Sequence, residues 1–231
     1  MDLRDRPSPN HGPRPEGAAI DILVLHYTGM LSAEAALDRL CDPAAEVSAH
    51  YVVEEDGTVW RLVDEGRRAW HAGRGAWGDA QDVNSRSIGV EIVNPGHEFG
   101  YRPFPPAQMR AVTDLCRGIL DRHPIPAGNV IAHSDMAPAR KQDPGELFDW
   151  PALARAGVGL WPEADFRGTA WNGGEAQVAA LLTRLGYDPA IATFTETLTA
   201  FQRHWHAEAL GQPAGAETVR RLHSLLAQSA R

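Results

Sequence analysis

The chain has 231 residues, 43% of them hydrophobic, and a formal net charge of −8. This length and apolar content fit one medium domain with a core of its own, or one such domain plus a small appendage. The acidic balance and the lack of a basic stripe argue against nucleic acid as the main partner, and no apolar run approaches the roughly 20 residues of a membrane span.

Residues 1–18 are polar and Pro-rich and read as an extended or disordered lead. They lack the apolar centre of a secretory signal, so the expected location is cytoplasmic, with periplasmic the alternative. Ile20 to His26 is a β-rich run ending in a potential ligand. Ser32 is a plausible N-cap for a helix to about Cys41, with Ala33, Ala36, Leu37 and Leu40 at helical spacing. His50–Val53 and Thr58–Val63 read as two strands joined at Asp56-Gly57, a hairpin signal. Residues 64–86 show no period and read as a long loop of the kind that carries function. Ile88–Val93 is nearly all apolar, as in a central strand covered on both faces. Pro105-Pro106 open a helix to about His123, and Val130–His133 is a further strand.

Strands and helices alternate, so the fold class is α/β, a mixed central β-sheet flanked by helices. Composition shifts near residue 160. The scheme is a catalytic domain over 19–160, a Gly-, Trp- and Pro-rich linker over 161–174, and a three-helix module over 175–228. In the module Val178, Leu181, Leu182 and Leu185 form one stripe, Phe194, Leu198, Phe201 and Trp205 a second, and Val219, Leu222, Leu225 and Leu226 a third. Cys41 and Cys116 sit on apolar helical faces outside any CxxC pair and read as small core residues.

Chemistry gathers at strand ends. His26 and His133 each close an apolar strand, and Asp143 follows His133 in a Pro-Gly loop. Two imidazoles and a carboxylate suit a zinc site with an open fourth position. No HExxH helix occurs, so the ligands must converge from separate segments. Glu91 lies inside an apolar strand, where a carboxylate is costly to bury alone. Taken by themselves, Glu91 also reads as one half of a structural salt bridge and Lys141 as an exposed loop charge. Together the residues read as a metal-assisted hydrolase.

Six segments then occur in order: LHYTGM, VSAHYVVEEDGTVWRLV, RAWHAG, NSRSIGVEIVN, VIAHSDMAPARKQDPG and LFDW. Over about residues 18–160 they resemble the type 2 N-acetylmuramoyl-L-alanine amidases, the group of AmpD and AmiD, which is similar to peptidoglycan recognition proteins and amidase-type phage lysozymes. The resemblance implies one Zn2+ held by His26, His133 and Asp143. It implies Glu91 as acid/base for the attacking water and Lys141 as the positive group near the developing oxyanion. Substrate would be muropeptides or peptidoglycan, in cell-wall turnover or recycling, cut between the lactyl group of N-acetylmuramic acid and L-Ala. Trp70, His71, Asn84 and His50 are weaker substrate-binding expectations; His71 also reads as a loop organiser, and His50 and Asn84 as structural residues. Tyr187 and Ala200-Phe201-Gln202-Arg203, with the module's Leu stripe, resemble the type 1 peptidoglycan-binding domain, although Gly215-Ala216-Glu217-Thr218 departs from its second repeat. A non-catalytic muropeptide sensor is the alternative, but such proteins lose a ligand, and here all three positions and Glu91 are filled.

Overall fold

The computed structural model describes residues 2–167, 170–171 and 173–229. The N-terminal lead forms β1 (Leu3–Asp5) and β2 (His11–Pro13). Then follow β3 (Ile22–Tyr27), α1 (Ala33–Cys41), β4 (Tyr51–Val53), β5 (Val59–Arg61), β6 (Arg67–Ala69), α2 (Val83–Arg86) and β7 (Ser87–Ile92). The rest is α3 (Gly96–Phe99), α4 (Pro106–Arg122), β8 (Val130–Ala132), α5 (His133–Met136), α6 (Trp150–Arg155), α7 (Glu175–Leu185), α8 (Phe194–Trp205) and α9 (Ala216–Ser229). Among the described residues no helix is long and apolar enough to cross a membrane.

The main sheet runs β1-β5-β4-β7-β3-β8. β4, β7, β3 and β8 are mutually parallel, and β5 is antiparallel to β4. The neighbouring strands β7 and β3 are buried at all but one position each, as expected inside a sheet covered on both faces. Alternation along β3 sorts its side chains. Leu23 and Leu25 join the core under α4, whereas Ile22 and Val24 join a second core on the opposite face. His26 follows Ile22 and Val24 in that alternation, so it stands on their face at the carboxyl end of the strand. The Ser32 hydroxyl caps α1 by accepting from the Ala35 amide. The Asp56-Gly57 turn closes the β4–β5 hairpin, with Gly57 at φ 95°.

Of the two forms expected for the lead, the structure has the extended one: β1 adds to the sheet edge beside β5, and β2 pairs with β6. Arg14, just behind β2, donates to the carbonyls of Glu65, Asn84, Ser85 and Ser87, which anchors the lead. The long loop of 64–86 contains β6 and α2, too short for periodicity to register. Cys116 is buried as expected, but Cys41 is only half-buried; both are free thiols.

Residues 168, 169 and 172 of the 161–174 linker lie outside the described residues. The three helices α7–α9 are not a separate appendage. Val178, Leu182, Phe201, Leu222 and Leu225 share one hydrophobic cluster with Ile22, Val24, Trp77, Ile131 and Met136 of the sheet domain. The apolar stripes bury against the sheet as well as against each other. A chain ending near residue 160 would expose that sheet face.

Candidate active site

Register brings the site together. In the parallel pair β3–β7, His26 lies opposite Glu91. In β3–β8, Leu25 lies opposite Ala132, so His133, the next residue, emerges beside His26. Three adjacent strands thus deliver an acid and two imidazoles to their carboxyl ends, where open sheets place their ligand crevices. Asp143 arrives from the loop after α5, tied back by the Ser134 amide donating to its carbonyl at 3.0 Å. The Tyr101 hydroxyl braces that loop, donating to the Pro144 carbonyl at 2.8 Å and accepting from the Leu147 amide at 2.9 Å.

The donor atoms converge. His26 Nδ1 and His133 Nδ1 are 2.8 Å apart, and Asp143 Oδ2 lies 3.2 Å from the first and 3.0 Å from the second. His26, His133 and Asp143 are all buried, at 1%, 4% and 5% exposure. Each ring has a partner on its far side, and for His133 that partner fixes the tautomer. His133 Nε2 is 3.0 Å from the Ala72 carbonyl, which can only accept, so Nε2 carries the proton. His26 Nε2 meets His71 Nδ1 at 3.0 Å, and His71 Nε2 meets Ser87 Oγ at 3.2 Å. A neutral ring with its Nε2 proton committed leaves Nδ1 as a bare lone pair. The His133 Nδ1 lone pair, His26 Nδ1 and a carboxylate oxygen therefore face one another at contact distance. Burial, then each other's proximity, keeps His26 from protonating and brings it down to about 4. A shared cation is what this donor set fits. The spacings approach the about 3.3 Å edge of a tetrahedron drawn with Zn–N bonds of about 2.0–2.1 Å. The outer partners are of the kind that orient metal-binding imidazoles. This is a cation-ready trio among the described residues.

A cavity of about 340 Å³ opens over the trio, lined by Tyr27, Trp70, His71, Glu91, His133, Lys141 and Asp143, with α1 on one side. Glu91 is half-buried, yet its Oε2 is sealed from solvent and has no hydrogen-bond partner. Burial, then Asp143, holds its carboxyl well above the usual range, partly offset by Lys141. An acid so placed is a proton carrier by design of its surroundings. Burial opposes ionisation of Asp143, but His133 and His26 hold it well below the usual carboxylate range.

The weaker expectations divide. Trp70, His71 and Lys141 line the cavity. His50 and Asn84 do not, and the substrate-contact expectation for them is corrected. His50 is fully buried, with Nδ1 accepting from the Gly89 amide at 3.0 Å. Asn84 Oδ1 accepts from the amides of His71 and Ala72 at 3.1 and 2.9 Å. Both shape the backbone behind the site. His71 is primarily a brace on His26 and only secondarily a cavity wall.

Sequence reading gave no role to Gly89, Arg140 or Ser87. Arg140 donates to the Ala72 carbonyl at 2.5 Å and to the Arg74 carbonyl, holding the strap that orients His133. Gly89 had a signal, since a glycine inside a strand marks a close approach. A Cβ there would lie 2.3 Å from the His71 ring. Gly89→Ala should therefore displace His71, break its contact with His26 and weaken metal affinity by about 10- to 100-fold. Chelator competition checks this; unchanged affinity would show that His71 does not set His26.

An α/β sheet carrying a half-buried acid beside a cation-ready trio at its strand ends has the layout of a metal-assisted hydrolase. The family model described as N-acetylmuramoyl-L-alanine amidase matches residues 16–146. The chain is 37% identical to the N-acetylmuramoyl-L-alanine amidase AmiD of Escherichia coli (strain K12), over 90% of this chain and 82% of AmiD. It is 32% identical to the 1,6-anhydro-N-acetylmuramyl-L-alanine amidase AmpD of Enterobacter cloacae, over 65% of this chain and 87% of AmpD. Among solved structures it is similar to the complex of E. coli AmiD with its substrate anhydro-N-acetylmuramic acid-L-Ala-D-gamma-Glu-L-Lys. That likeness has a TM-score of 0.82 at 35% identity, covering 93% of this chain and 92% of the other. AmpDH3 of Pseudomonas aeruginosa also superposes with a TM-score of 0.82, at 31% identity and 94% and 95% coverage. The chain belongs to the N-acetylmuramoyl-L-alanine amidase family.

Proposed function

We propose that the chain is a zinc-dependent amidase that takes muropeptides and cuts between the lactyl group of N-acetylmuramic acid and L-Ala of the stem peptide. His26 Nδ1, His133 Nδ1 and Asp143 Oδ2 hold the zinc. The observation that carries this reading is the convergence of three buried ligand atoms within 3.2 Å of one another, with the His133 proton held on Nε2 by the Ala72 carbonyl. Substrate class rests on the family and on the muropeptide bound in the similar AmiD structure.

Bound zinc supplies a Lewis acid for the scissile carbonyl and lowers the pKa of an attacking water to about 7. The protein supplies the rest. The Glu91 carboxylate, which lines the same cavity, takes one proton from the water as its oxygen bonds to the carbonyl carbon. The same carboxyl then hands that proton to the L-Ala nitrogen as the C–N bond breaks. The raised affinity of Glu91 for its proton suits the second half of this shuttle. Lys141 stabilises negative charge on the former carbonyl oxygen, a contact that strengthens only as the tetrahedral centre forms. Trp70 offers an apolar wall to the sugar or peptide.

Incubation of zinc-loaded protein with anhydro-N-acetylmuramic acid tripeptide, followed by mass spectrometry, tests the proposal. Anhydro-N-acetylmuramic acid and free tripeptide are the expected products, and a chelator should stop their formation. An intact substrate, or a cut inside the peptide, would overturn it.

A further inference from the structure

The helical module touches the metal-binding helix through a buried polar contact, not only through apolar packing. Asp135 lies on α5, two residues after His133. Its Oδ1 accepts from the Tyr187 hydroxyl at 2.6 Å, and its Oδ2 accepts from His204 Nδ1 at 2.6 Å and from the Ala132 amide at 2.8 Å. Asp135, Tyr187 and His204 are 1%, 2% and 2% exposed. His204 also stacks on Trp150, with ring centroids 3.7 Å apart. A buried carboxylate needs such donors, and bonds to an ionised acceptor are the short, strong ones. Two of the three come from the module.

What those bonds hold matters. α5 is a single turn of four residues, His133–Met136, and it opens on His133 itself. One isolated turn does not sustain its own conformation, because helix nucleation fixes many dihedrals for one hydrogen bond. The Ala72 carbonyl orients the His133 ring, but the backbone that carries the ring is pinned through Asp135 and the Ala132 amide. Met136 and Ala137 are covered by the same module.

We propose that the module is part of the metal centre: Tyr187 and His204 are positioning residues that, through Asp135, fix the turn presenting His133 Nδ1. This rests on the zinc reading above and gives the module a role independent of wall binding. Loss of the clamp lets the turn drift, so zinc affinity and turnover fall while substrate binding does not.

The test is zinc affinity by chelator competition in the full-length protein, with kcat and KM alongside. Tyr187→Phe removes one oxygen, and His204→Leu removes one donor. Each should weaken zinc binding by about 10- to 100-fold and lower kcat with KM unchanged. His204→Asn keeps a donor near the Nδ1 position and should recover part of the loss. Leu222→Ala opens a cavity in the module without touching Asp135; it should lower the melting temperature and leave zinc affinity at the wild-type value. A Tyr187→Phe protein that melts earlier but binds zinc like wild type would overturn the proposal, as would loss of affinity in Leu222→Ala equal to that in Tyr187→Phe. If His204→Leu does not fold, Tyr187→Phe decides alone. Wild-type protein that binds no zinc would sink the underlying reading and the clamp with it, whereas unchanged affinity in the variants sinks only the clamp.

Discussion

Glu91→Gln keeps its fold and its zinc and loses about 10²–10⁴ in turnover, the usual worth of one general acid/base. Register is the reason for the size of the effect. Glu91 stands opposite His26 across the β3–β7 pair and lines the same cavity as His133 and Asp143. The reason for the intact fold is the state of its Oε2, which is buried without a partner. Gln has the same shape and replaces a carboxyl that burial already disfavours as an anion, so melting should hold or rise slightly. Steady-state kinetics with metal analysis on the same sample reads both. Wild-type turnover in the variant would return Glu91 to a structural role.

His133→Ala loses most of its zinc and with it the amidase activity. The remaining His26 Nδ1 and Asp143 Oδ2 form a two-donor site, and the cut leaves the Ala72 carbonyl with Arg140 as its donor. The change is also visible without substrate. Zinc at 100 times its Kd should stabilise wild-type protein by about 2.7 kcal/mol, because the unfolded chain does not assemble these ligands. The variant should show little zinc-dependent rise in melting temperature. Equal thermal shifts in both proteins would place the metal elsewhere.

How far the sequence reached follows from periodicity. Apolar runs at Ile22–Leu25 and Val130–Ala132 announce buried parallel strands, and a histidine at the end of each is visible by eye. The convergence of Asp143 is not, because it depends on a loop braced by Tyr101, more than 40 residues earlier in the chain. Short elements escaped for a simple reason: β2, β6 and α2 have three or four residues each, less than two full periods. The module illustrates a different limit. Its three apolar stripes are legible, but a stripe does not name the surface it buries. Val178 and Phe201 meet Trp77 and Ile131 in one cluster, so the composition break near residue 160 marks a change of chain character within a shared core. His204 is the sharpest case. A histidine on a helix face reads as ordinary until Asp135 stands 2.6 Å from its Nδ1. His50 and Asn84 sit inside the family-like segments and carry two readings, substrate contact and structure; their side chains turn inward to backbone amides, as in the structural one.

The account turns on which atoms hold the metal. Crystals grown with zinc, with anomalous scattering measured across the zinc absorption edge, test it directly. One strong peak is expected, bonded by Nδ1 of both His26 and His133 at about 2.0–2.1 Å, with Asp143 Oδ2 as the third protein ligand and the remaining position open to the cavity beside Glu91. No peak among these three residues in crystals of active protein, or a zinc held through the Nε2 atoms that His71 and the Ala72 carbonyl now occupy, would contradict it.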